Sequence, residues 1–278
     1  MSERKSCRLA GVSRCAFRYA RRRRAYDERV AARVVELSRG HPRYGYRRVH
    51  ALLVREGWPV NEKRVHRIRK QEGLSLPLRR PKRRAYGPKG QTLHKATHTG
   101  HVWSYDFIED RTVSGNKLRI LTVLDEFTRE CLAVRVERSL PARKVTQTLE
   151  WLFLLRGAPE HIRSDNGPEF VAKAVQEFVS ARGSTTLYIT PGSPWENGHV
   201  ESFFGKLRDE CLNREWFASG REAQLIAEDW RVEYNQHRPH SSLGYQTPAE
   251  FAARSERLRR ASPSSGPPNA DSAPILSL

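Results

Sequence analysis

The stretch Ser193-Pro194-Trp195-Glu196-Asn197-Gly198-His199-Val200-Glu201-Ser202-Phe203-Phe204-Gly205-Lys206-Leu207-Arg208 constrains this chain more than any other. It reads as a loop running into a helix. Val200, Phe203, Phe204 and Leu207 recur at steps of three and four and form an apolar stripe. Asn197, Glu201 and Arg208 fall at steps of four and seven on another, polar face. A helical Glu is ordinarily solvated, so Glu201 alone would carry no chemistry. Two upstream carboxylates change that. Val102 to Ile108 reads as a strand carrying Asp106, and His161 to Gly167 as a short strand ending in Asp165 and a turn at Asn166-Gly167. Between Asp165 and Glu201 lie 35 positions.

An Asp on a first strand, an Asp at a later strand end and a helical Glu 35 positions further on resemble the catalytic triad of DDE transposases and retroviral integrases. Four separate words narrow the resemblance: W-S-Y-D-F-I-E-D from Trp103, S-D-N-G-P-E-F from Ser164, S-P-W-E-N-G-H-V-E-S-F-F-G-K-L-R-D-E-C-L from Ser193, and Y-N-Q-H-R-P-H-S-S-L-G-Y-Q-T-P-A-E-F from Tyr234. They are similar to the second-reading-frame product of the bacterial insertion-sequence-3 transposases, over residues 27 to 256 and in unbroken order. The resemblance implies catalysis by Asp106, Asp165 and Glu201, which would hold two Mg²⁺ ions, with Mn²⁺ as a substitute. Asp106 would bridge the two and each of the others would complete one. Phosphodiester chemistry needs charge neutralised on the attacking and leaving oxygens, and Mg²⁺ is satisfied by few carboxylates. Asp110, Asp125, Glu169 and Glu196 are further acids nearby, but none completes the three-part word. Arg208, seven residues after Glu201, matches the family's Lys or Arg at that step and is expected to grip phosphate, as Lys206 is. Trp195 reads equally as a base-stacking platform or a rim residue.

Charge points to the same partner. Of the net +19, residues 1–100 hold 28 Lys/Arg against 7 Asp/Glu, and the remainder 22 against 24. One intensely basic end on a near-neutral body calls for a polyanion, and DNA or RNA is the natural one. Within that end, residues 1–26 read as a basic arm closed by Arg21 to Arg24, with little fixed structure of its own. Residues 27–76 read as a helix-turn-helix-like module: a helix from Asp27, a second over Tyr44 to Leu53, and a third capped by Asn61. On the third, Val65 and Ile68 are expected to face inward and Lys63, Arg64, Arg67, Arg69 and Lys70 outward, with Lys63, Arg64, Arg67 and Lys70 as the expected DNA contacts. Residues 77–100, with Arg79, Arg80, Lys82, Arg83 and Arg84, read as a basic linker.

From 101 to 218 the pattern is three hairpin-linked strands, then helix, strand, helix, strand, helix. That is the order of an α/β, ribonuclease-H-like integrase core on a mixed five-stranded sheet. Adjacent strands lie about 4.8 Å apart, so Asp106 and Asp165 could meet at the sheet beneath the Glu201 helix. Residues 219–256 read as a helical appendage, with Arg238 and the histidines near DNA, and 257–278 as a disordered tail. No apolar run approaches 18 residues, so a soluble, intracellular protein without a membrane partner is expected, and the resemblance implies a cytoplasmic, nucleoid-associated one. The four cysteines show no C-x2-C pairing, and the His94/His98 spacing is followed by no Cys pair, so zinc is not expected from these words.

Two other readings compete with a transposase: a nuclease of the same fold, and a DNA-binding protein with a dead core, against which the intact triad argues. The expected substrate is double-stranded DNA, the element's terminal inverted repeats and a target. Pairing two ends implies a homo-oligomer in a synaptic complex. No stretch sustains a heptad pattern over three or four repeats, so the resemblance implies that the upstream-frame product, fused or separate, supplies a zipper.

Overall fold

A computed structural model describes residues 2–77, 95–164, 173–188 and 198–261, and the side chains of all of these except 19–25. The amino-terminal part is helical: α1 (Glu3–Leu9), α2 (Arg14–Gly40), α3 (Tyr46–Arg55) and α4 (Glu62–Gln71). Val30, Val34, Leu37, Val49, Leu53, Val65 and Ile68 close a small core between the last three. Asn61 caps α4 by accepting from the Lys63 N–H at 2.8 Å. The expected helix at Asp27 instead begins at Arg14, so most of the predicted arm is helical. The Ser13 hydroxyl supplies the cap, accepting from Ala16 N at 3.1 Å, and Ala and Arg are good helix formers that let the turn propagate.

The sheet has the order β3-β2-β1-β4-β5, built from β1 (Val102–Arg111), β2 (Lys117–Asp125), β3 (Cys131–Glu137), β4 (His161–Ser164) and β5 (Thr185–Tyr188). The first three pair antiparallel; β4 pairs parallel with β1, and β5 with β4. Gly115, at φ +82°, makes the tight β1–β2 turn that a side chain would strain. One face is covered by α5 (Ala142–Arg156) and α6 (Lys173–Ser180), which pack Leu149, Leu152, Val175 and Val179 onto Trp103, Tyr105, Leu121 and Val123. The other is covered by α7 (Gly198–Glu210) and α8 (Gly220–Gln236). Val200, Phe203, Leu207, Ala223 and Ala227 there meet Ile108, Leu118, Ile120 and Val134.

Helix α8 is therefore part of the core and not an appendage. It also covers the exposed edge of the sheet, because β3 is an edge strand whose free backbone groups need partners. Gln224 takes Val136 N at 2.6 Å and donates to Val134 O at 3.1 Å. Asn235 takes Cys131 N at 2.9 Å and donates to Cys131 O at 2.8 Å. Two side-chain amides thus stand in for a sixth strand. The chain continues into α9 (Pro248–Ala261); the expected tail from 262 on lies outside the described residues. Among the described residues, no helix is long and apolar enough to cross a membrane, and all four cysteines are free.

Candidate active site

Side chains alternate across a strand, so Trp103, Tyr105 and Phe107 share one face of β1, and Ser104, Asp106 and Ile108 the other. Ile108 belongs to the core cluster of Val200, Phe203 and Leu207, which assigns Asp106 to the face beneath α7. Asp106 sits opposite Thr122 of β2, is half-buried, and accepts from the Phe107 N–H at 2.7 Å. Glu201 lies in the first turn of α7, exposed, next to the buried Val200. A carboxylate there is favoured by the partial positive charge of the helix start. At the other end of α7, Arg208 Nη2 donates to Glu109 O of β1 at 3.1 Å. This occupies one of its five N–H donors and pins the helix along the strand.

The structure so places Asp106 on the face of β1 that packs against α7, and Glu201 on the first turn of that helix. Asp165, with its turn at Asn166-Gly167, lies outside the described residues; β4 ends at Ser164, immediately before it. β4 runs parallel to β1 with Arg163 opposite Ser104. Asp165 is two residues past Arg163 and Asp106 two past Ser104. Carboxylate oxygens are the donors that Mg²⁺ and Mn²⁺ prefer, so Asp106 and Glu201 fit a hard dication. Asp125 is otherwise engaged: its carboxylate accepts from the N–H groups of Gly100, Phe127 and Thr128 at 2.8, 2.9 and 2.9 Å, and it is buried as the cap of a turn. Glu169, Glu196 and Trp195 lie outside the described residues.

Of the expected DNA contacts, Lys63, Arg67 and Lys70 are exposed on α4. Two neighbours on that helix correct the reading. Arg64 is half-buried, ion-paired to Asp27 and stacked over Tyr26. Arg69 is buried, donating to Tyr44 O at 2.6 Å and to Leu74 O at 2.8 Å. At position 69 the helix faces the module's own core, and carbonyls at two chain turns accept from Nη1 and Nη2 of the guanidinium. Arg79, Arg80, Lys82, Arg83 and Arg84 lie outside the described residues.

Lys206 is not on the Glu201–Arg208 face. It donates to Ser202 O and Oγ at 2.9 and 2.7 Å and lines a cavity of about 350 Å³ together with Arg48, Arg129, Arg238 and His240. Burial, and then the guanidiniums of Arg238 and Arg48, push its amine down to about 8. Behind it Glu210 accepts from Nε and Nη2 of Arg238, at 2.6 and 2.6 Å, and from Arg48 Nη1 at 3.3 Å. Neither Glu210 nor Arg48 carries a sequence signal: each reads as an ordinary charge on an amphipathic helix. Arg238 and His240, expected near DNA, are buried.

His240 accepts at Nε2 from Arg238 Nη1 at 3.3 Å, which requires a neutral ring. Burial, then the cations Arg238, Lys206, Arg48 and Arg129, push it from 6.5 down to about 2. The unfolded chain therefore binds a proton between pH 6.5 and 2 that the native chain refuses. This contribution to stability is complete above pH 6.5 and is lost as pH falls, by up to about 1.4 kcal/mol per pH unit. His240→Asn, which keeps an acceptor for Arg238, is expected to flatten the stability–pH curve between pH 6 and 4 in denaturant titrations; an unchanged slope would refute the assignment.

The comparisons with known proteins bear on the family and the fold. A model described as HTH-like domain matches residues 25–83, and two described as Integrase core domain match 96–194 and 182–248. Over 254 residues the chain is 40% identical to the "Insertion element IS407 uncharacterized 31.7 kDa protein" of Burkholderia multivorans, covering 91% of each. It is 30% identical over 262 residues to the "Transposase InsD for insertion element IS2A/D/F/H/I/K" of Escherichia coli, covering 83% of this chain and 80% of that one. A chain of a simian T-cell lymphotropic virus intasome, solved with PP2A regulatory subunit B56 gamma, matches with a TM-score of 0.52 at 16% identity, over 88% of this chain and 80% of that one. That likeness concerns the fold. Relatives at this identity, matched over most of their length, leave one conclusion: the chain belongs to the insertion-sequence-3 transposases as their second-reading-frame product, and it is a DDE-type DNA transposase.

Proposed function

We propose that Asp106, Asp165 and Glu201 hold the metal ions, two Mg²⁺ or Mn²⁺, with which this transposase cleaves the ends of its insertion element and joins the freed 3′-hydroxyl to target DNA. The observation that carries the reading is Asp106 on the β1 face beneath α7, the helix that bears Glu201. When bound there, the metals neutralise charge on the attacking and leaving oxygens. The protein's own part is to set the carboxylates on a rigid strand and helix and to hold a phosphate beside them. Arg208, held at one donor by Glu109 O, suits the second task. Lys63, Arg67 and Lys70, with Arg79, Arg80, Lys82, Arg83 and Arg84 of the linker, supply long-range attraction to duplex DNA. Arg64 is better read as a charge paired with Asp27 inside the module, and Lys206 as one that faces the cavity of Arg48 and Arg238.

Two element ends must be handled at once, so the working form is a homo-oligomer on bacterial DNA in the cytoplasm, assisted by or fused to the upstream-frame product. The test is an oligonucleotide bearing an element end, labelled beside the scissile position, incubated with Mg²⁺ or Mn²⁺ and target plasmid. The expected result is metal-dependent nicking followed by label transfer into the plasmid, stronger with the upstream product present. Nicking with no label transfer in either form would mark a nuclease of this fold.

A further inference from the structure

At the far end of β1 from Arg111, three imidazoles and a carboxylate converge. One ligand atom each of His101, Glu160 and His161 lies within 4.8 Å of the others. His98 joins from the side: its Nε2 is 2.8 Å from Glu160 Oε1, and its ring stacks on His101 with centroids 4.7 Å apart. The backbone holds this group in place. His161 N donates to His101 O at 2.9 Å and Glu160 N to Gly100 O at 3.0 Å, so the residues entering β1 and β4 are fastened side by side. The Thr97 hydroxyl lies 3.1 Å from His98 Nδ1 and 3.2 Å from His101 Nδ1. A hydroxyl accepting from both Nδ1–H groups would turn both Nε2 atoms toward Glu160, the orienting role that outer partners play for metal-bound histidines.

We propose that His101, His161 and Glu160 form a second metal site, for a borderline transition dication of the Zn²⁺ class, with the fourth position left to water or His98. Two imidazoles and one carboxylate are a ligand set that zinc accepts and Mg²⁺ does not favour. In a tetrahedral site with bonds of about 2.0–2.1 Å, ligand atoms stand roughly 3.3 Å apart. The group must therefore contract a little, which the exposed Glu160 side chain permits. The Thr97 N–H, now 3.1 Å from His101 Nδ1, would give way to the hydroxyl as that nitrogen takes the proton. The site lies about 16 Å along β1 from Asp106, five residues at the usual strand rise, so its ion takes no part at the carboxylate centre. Its effect would be to clamp the end of the basic linker to the sheet. The sequence words gave no such set, because His98 and His101 are separated from His161 by some sixty residues.

The test uses the full chain without DNA, stripped with a chelator and titrated with Co²⁺ as a spectroscopic probe, then Zn²⁺. One equivalent of Co²⁺ should give the visible bands of a four-coordinate site, displaced by Zn²⁺ and untouched by millimolar Mg²⁺. His101→Asn and Glu160→Gln should each weaken Co²⁺ binding at least about tenfold, while Asp106→Asn and Glu201→Gln leave it unchanged. Thermal midpoints of the stripped variants, compared with the stripped parent, report whether they fold. Absence of a Mg²⁺-resistant equivalent, full binding by folded His101→Asn and Glu160→Gln, or loss of binding in Asp106→Asn would each overturn the proposal.

Discussion

Glu201→Gln, Asp106→Asn and Asp165→Asn are each expected to lower end cleavage and strand joining on the order of 10³-fold or more, with DNA affinity nearly unchanged. Each exchange keeps shape and removes a charge, so it acts on the several kcal/mol of transition-state stabilisation that a metal centre supplies and leaves the basic module alone. The combined variant should be no worse than the singles, because losing any one carboxylate already disables the centre. The measurement is single-turnover cleavage and joining beside equilibrium DNA binding at one fixed salt concentration. A Glu201→Gln protein with parental nicking would remove Glu201 from the site and with it the reading of α7 as the catalytic helix.

The second large effect is structural. Glu210→Gln should destabilise the protein by about 3–5 kcal/mol, the usual cost of removing one partner from a buried ion pair. Arg238, only 2% exposed, would then keep its charge with an amide in place of a carboxylate. For a chain of this size that corresponds to a fall in Tm on the order of 10 °C. Because Arg48 of α3 shares the same carboxylate at 3.3 Å, hydrogen exchange in α3 should rise too. The companion variant Arg238→Gln/Glu210→Gln should recover part of the loss, since no unpaired guanidinium remains buried at that position. A Tm within a degree or two of the parent for Glu210→Gln would show that water reaches the pair and that the module and the core are not coupled through it.

What the sequence determined by itself is whatever local periodicity can express. The alternation around Asp106 and the 3-4 spacing of Val200, Phe203 and Leu207 announced a strand and a helix with one face each to bury. The order of elements then left few sheets that could accommodate them, and Asn61 marked the start of α4. These are interactions among neighbours in the chain, so the residues needed to see them lie within one window.

Only the tertiary structure decided the rest. Glu210 meets Arg48 across 162 positions, and Asn235 meets Cys131 across 104; such a partner has no period to betray it. For the same reason α8 reads as an appendage until its amides are seen on the β3 edge. Arg69 reads as an outward-facing charge until the Tyr44 and Leu74 carbonyls are seen to hold it. The four residues about Glu160 have no signature until β1 and β4 lie side by side. A buried charge or an assembled ligand set is paid for by partners distant in the chain, and the fold alone brings those partners together.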